Sequence, residues 1–195
     1  MGPWAGEVGD GVSGGPRGPR GFESHPRRHH PREGELGVPT AIEVPEGLLA
    51  LLKREARDRG LSLEELVLEK LSEGLSDDER ATTYLEAATS LLSGAREALA
   101  KGELRQASEK IWGAAALAVK AHALAREGRR LTSHGELWEH KEHVVAELGT
   151  WVRDAWAHAS SMHVNFYEGW ATAADVREAL EQVEKLVRAV SKALS

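Results

Sequence analysis

Two histidines in one stretch of this chain are spaced for chemistry. In Arg153-Asp154-Ala155-Trp156-Ala157-His158 a guanidinium, a carboxylate and an imidazole fall within one short segment. Just after it, Met162-His163-Val164-Asn165-Phe166-Tyr167-Glu168-Gly169-Trp170 sets a second imidazole, an amide and a carboxylate among large apolar groups. Arginine is always charged and suits planar phosphate contacts, while histidine titrates near neutrality. Together they offer a base that titrates near neutrality and a cation able to hold an oxyanion as charge develops. Asp154, four residues before His158, is placed to orient that ring and favour its charged form. The second cluster reads either as the keystone of a helical core or as the floor of a pocket.

A single helix must carry both clusters. At about 100° per residue, Val152, Trp156, Ala159, His163, Phe166, Tyr167 and Trp170 share the face expected to meet the core, with His163 at its centre. Asp154, His158, Ser161 and Asn165 fall on the opposite face. Arg153 lies about 140° from His158, so the two meet only if the helix is distorted or a second protomer supplies one of them.

Composition bounds the remaining possibilities. The 195 residues suit one ordinary domain with additions. All seven Pro lie at or before Pro45, and ten of the twenty Gly lie in residues 1–37. That segment balances five Arg against five acids, so it reads as a neutral disordered tail, and the net charge of −6 belongs to the rest. It lacks the apolar run of a signal peptide, and no stretch is apolar enough for a transmembrane helix. The absence of Cys excludes disulfides, thiolate catalysis and Cys-ligated metal centres, and fits a cytoplasmic protein. No Gly-rich phosphate loop is present, which argues against an NTPase, and no cofactor is expected.

The order of elements is sharp from residue 38 onward. Thr40-Ala41-Ile42-Glu43-Val44-Pro45 alternates apolar and polar as a short strand. Leu48, Leu49, Leu51, Leu52 and Ala56 form a helical stripe ending at Gly60. Ser62-Leu63-Glu64-Glu65 is a capping box that opens a second helix, which continues to Gly74. Long helices follow over about 77–101, 103–127, 133–148, 150–168 and 172–194. Ser133 with Glu136 and Thr172 with Asp175 act as starts, and glycines mark the joints. Residues 77–195 are therefore expected to form an antiparallel helical bundle, with Trp112, Trp138, Trp151, Trp156 and Trp170 mostly in its core.

The strand–helix–glycine–helix order of residues 40–74, with its Gly-Leu-Ser-Leu-Glu-Glu-Leu turn, resembles the ribbon-helix-helix fold of small dimeric repressors and antitoxins. In that fold paired strands enter the major groove. Here residues 40–76 hold eight acids and five bases, which opposes DNA binding and favours a dimerisation or docking ribbon.

A second resemblance covers about residues 82–192. Its residues are Gln106-Ala107-Ser108-Glu109-Lys110-Ile111-Trp112-Gly113-Ala114-Ala115, Val119-Lys120-Ala121, Ser133-His134 and the segment Met162 to Trp170. These closely resemble the archaeal PaREP family of helical proteins related to the HEPN superfamily. The resemblance implies a HEPN-like bundle, usually a homodimer. Catalytic HEPN proteins are metal-independent ribonucleases marked by an Arg, a short spacer and a His, which Arg153 and His158 fit. It also marks Glu109, Lys110, Trp112, His163, Asn165, Tyr167, Glu168 and Trp170 as motif residues of a pocket or core.

Two function classes follow. One is a toxin–antitoxin-type ribonuclease module acting as a homodimer on RNA, with Arg153, Asp154 and His158 as its site. The other is a non-catalytic dimeric binding or antitoxin-like regulatory protein, in which residues 163–170 are structural. His140-Lys141-Glu142-His143 puts two imidazoles on one helical turn but shows no third ligand, so no metal is assigned. His25, His29 and His30 of the tail can bind metal ions without specificity.

Overall fold

The computed structural model describes residues 43–195, of which Glu43–Ser195 form one compact unit. It contains α1 (Glu46–Arg59), α2 (Leu63–Leu71), α3 (Asp77–Ala100), α4 (Leu104–Glu127), α5 (His134–Leu148), α6 (Trp151–Glu168) and α7 (Ala173–Leu194). The tail and residues 40–42 of the expected strand lie outside the described residues. Glu43, Val44 and Pro45 are described and carry no strand. No described helix is long and apolar enough to cross a membrane.

The helix boundaries follow local chemistry. Ser62, Ser133 and Thr172 each accept from the backbone nitrogen three residues on, and Glu65, Glu136 and Asp175 return the bond. Ser76 and Glu79 form a fourth box that starts α3. Each cap satisfies amides that helix geometry leaves without partners, at about 1 kcal/mol apiece. Gly60, with φ of 66°, ends α1 and lets the chain turn tightly into α2.

Helix α4 is the axis of the fold. Every residue from Ile111 to Leu124 is buried, because α3, α5, α6, α7 and α2 all pack against it. Its small residues make this possible: a Cβ on Gly113 would stand 3.1 Å from Leu91 Cδ1 of α3 and 3.5 Å from Ser62 Oγ of α2. Helix α7 closes the bundle with Val176, Leu180, Val183, Leu186, Val187 and Val190 on one buried side. Each such side chain contributes about 1.5–3 kcal/mol of burial.

Polar ties hold α2 onto this bundle. Lys120 of α4 is 2% exposed, and its ammonium lies 3.2 Å from Glu65 and 2.7 Å from Glu69, while Arg59 binds the other oxygen of Glu69 at 2.6 Å. Burial pulls the Lys120 ammonium down, but Glu65 and Glu69 together outweigh it, so its pKa is raised. Buried Arg80 of α3 donates to the Ser72 carbonyl at the end of α2.

Candidate functional site

The motif residues gather at one end of α4 and α6, beneath the α1–α2 turn. Trp112 is buried, and its ring centroid lies 4.8 Å from His163, 5.5 Å from His134 and 5.2 Å from Trp156. His134 and His163 are 5.1 Å apart, and Tyr167 meets His163 edge-on at 5.6 Å. The His134 ring occupies the space above Gly60, where a Cβ would come within 2.7 Å of it. Two imidazoles thus sit in an aromatic box that seals the α1–α2 turn onto the bundle.

His163 is neutral in this box. Burial, reinforced by His134, lowers its pKa from 6.5 to about 4. Between those values the unfolded chain binds the proton and the folded chain does not. The stabilisation is therefore complete above pH 6.5 and is lost as pH falls toward 4. Wild-type protein is expected to lose on the order of 2 kcal/mol more than His163→Gln across that window in urea denaturation. The comparison isolates this ring from His140, which burial also lowers to about 4. Parallel pH profiles for the two proteins would show that His163 is not held neutral by the fold.

Asn165 departs from the helical-wheel expectation. It is fully buried, donating to Ser108 Oγ at 2.8 Å and accepting from the Ala171 amide at 2.6 Å. The cause is the joint after α6. Gly169 turns the chain back, so that Ala171 of the joint and Ser108 of α4 together enclose the Asn165 amide. Tyr167 and Trp170, assigned to the core face, are about half exposed. Trp170 lies beyond the helix, where wheel angles no longer apply. Trp138 is also exposed, so of the five tryptophans only Trp112 and Trp156 are buried.

Arg153, Asp154 and His158 are not gathered into one site within the protomer. Arg153 pairs with Glu142 of α5 at 2.7 Å, a bond that raises its pKa. His158 donates through Nδ1 to the Asp154 backbone carbonyl at 2.8 Å, not to the carboxylate, and its Nε2 lies 3.6 Å from Glu178 of α7. The cation is thus tied toward α5 and the imidazole toward α7.

A cleft of about 670 Å³ opens beside the motif residues, between α1, α2 and the ends of α4 and α6. Lys53 and Arg57 of α1 and Arg105 of α4 line it with Phe166 and Tyr167, and Glu64 and Glu109 add carboxylates. Arg105 also donates to the Tyr167 carbonyl, fixing the end of α6 to the start of α4. Burial raises the pKa of Glu109, Glu64 raises it further, and Lys110 and Lys53 partly oppose them. Lys110 itself faces Glu64 at 3.6 Å. Glu168 and Trp170 are exposed at the rim of α6. Nothing in the sequence marks Lys53, Arg57 or Arg105, because the cleft is lined by helices far apart along the chain.

A second polar cluster lies between α4 and α5. Buried His122 and His140 join Nδ1 to Nε2 at 2.9 Å, and His122 Nε2 meets Glu147 at 3.0 Å. Arg126 holds both oxygens of Glu147, at 2.6 and 3.1 Å. On the other side, Glu127 faces His143 at 2.6 Å and His140 Nδ1 at 3.7 Å.

Among the described residues the fold is thus a helical bundle whose cleft brings three cations, two carboxylates and two aromatic rings together. The chain matches the Archaeal PaREP1/PaREP8 family over residues 83–187, more than half its length, and belongs to that family. No curated protein and no solved structure matches it.

Proposed function

We propose that this PaREP-family bundle is a non-catalytic binding module whose ligand is single-stranded RNA, a nucleotide-sized portion of which enters the cleft between α1–α2 and the ends of α4 and α6. The observation that carries this reading is the meeting of Lys53, Arg57 and Arg105, which outnumber the carboxylates of Glu64 and Glu109, with the Phe166 and Tyr167 rings in one cleft of about 670 Å³. Single-strand binding combines a basic track for phosphates with aromatic faces for bases, and a cleft of this size suits such a ligand.

The test is fluorescence anisotropy of labelled single-stranded RNA in EDTA, across a salt series. Phe166→Ala is expected to weaken binding roughly 10-fold, since a stacked base is worth about 1–3 kcal/mol. Arg57→Glu is expected to weaken it and flatten the salt dependence. Equal affinity in wild type and both variants would remove the cleft from consideration.

A second reading retains one supporting observation. His158 Nδ1 is engaged by the Asp154 carbonyl, so Nε2 is the ring nitrogen left to face a substrate, as a general base requires. In a HEPN-like homodimer, Arg153 of one protomer would complete the site, giving a metal-independent ribonuclease of toxin–antitoxin type. The Arg153–Glu142 pair would first have to open, which places this reading second.

A further inference from the structure

We infer that Glu127, His140 and His143 form a binding site for a divalent transition metal of the zinc type, joining the end of α4 to α5. The candidate ligand atoms of these three residues all lie within 4.8 Å of one another. His140 and His143 stand one turn apart on α5, with ring centroids 4.9 Å apart, and Glu127 is the last residue of α4. Tetrahedral zinc bonds of about 2.0–2.2 Å to imidazole nitrogen and carboxylate oxygen set ligand atoms about 3.4 Å apart, so the wider pairs here would draw in by roughly an ångström on binding.

The hydrogen-bond chain behind His140 makes this more than a chance grouping. Arg126 holds Glu147 as a carboxylate, which can only accept, so His122 Nε2 carries the proton that it shares with Glu147. With both rings neutral, His122 Nδ1 is then an acceptor, and His140 donates to it through Nε2. That leaves the His140 Nδ1 lone pair directed at Glu127. His140 is 0% exposed, and Nδ1 has no hydrogen-bond partner. A buried acceptor aimed at a carboxylate is unfavourable unless a cation stands between them. A carboxylate that orients a ligating imidazole is the usual support behind zinc, here relayed through a second histidine. Glu127 and His143 are partly exposed, which admits the ion and leaves room for water as a further ligand. Arg129, the nearby cation, is directed at Glu136 and Glu139.

The experiment uses the full chain with His25, His29 and His30 replaced by Ala, so that the tail does not chelate. Zinc is titrated by calorimetry, and cobalt serves as a spectroscopic probe of coordination. The expected result is one equivalent of zinc, visible bands of four-coordinate cobalt and a higher Tm with zinc. Glu127→Gln and His143→Ala, both at partly exposed positions, should keep the metal-free Tm within a few degrees and lose saturable binding. No saturable binding by the parent, or binding retained in either variant, would overturn the assignment.

Discussion

Lys120→Met is expected to cost about 3–5 kcal/mol in urea denaturation at neutral pH. The ammonium is 2% exposed and Glu65 is 1% exposed, so removing one partner leaves a carboxylate in the interior without its counter-charge. Surface ion pairs are worth far less, because water screens both members. Glu65 has a second duty, since Oε2 accepts from the Ser62 amide in the α2 capping box. Glu65→Gln keeps an oxygen for that bond. The double variant Lys120→Met with Glu65→Gln should therefore recover part of the loss, giving a coupling energy that the single variants cannot show. A loss below about 1 kcal/mol in the single variant would mean that water or relaxation compensates the site.

Trp112→Ala is the second large effect, expected at about 3–5 kcal/mol. Its ring touches His134, His163 and Trp156 at once, so the cavity opens where α4, α5 and α6 meet. Trp112→Phe should cost much less. The indole Nε1 is buried without a partner, so its removal sacrifices no hydrogen bond. The alanine variant should also let water reach His163 and weaken the acid dependence expected for wild type, because burial is the main cause of the lowered pKa. A Trp112→Ala protein as stable as wild type would show that the motif segment does not hold the bundle together.

Much of the architecture was legible because helix ends are local events. Ser62, Ser133 and Thr172 with their acidic partners, and Gly60, Gly128 and Gly169 at the stops, can be read without knowing any contact. The Ser76–Glu79 box carries the same signal and could have been read the same way. The site was less legible. Asn165 is buried because the joint after α6 and Ser108 of α4 close on its amide, a tertiary event that wheel angles do not contain. Glu127 completes the His140 and His143 cluster from another helix, and Lys120 finds its acids on α2 far away in sequence. For Arg153 and His158 the sequence supplied the residue types, whereas the fold ties them toward different neighbours.

On the function we propose, the motif end of this PaREP-family bundle binds RNA without cutting it. Its most direct test is electrophoresis of end-labelled single-stranded RNA incubated with the protein in excess EDTA, under conditions where anisotropy shows it bound. Intact RNA with wild-type protein, together with binding that Phe166→Ala weakens, is the predicted result. Cleavage by wild-type protein that disappears in a His158→Ala variant of unchanged Tm would contradict it and assign the site to Arg153 and His158.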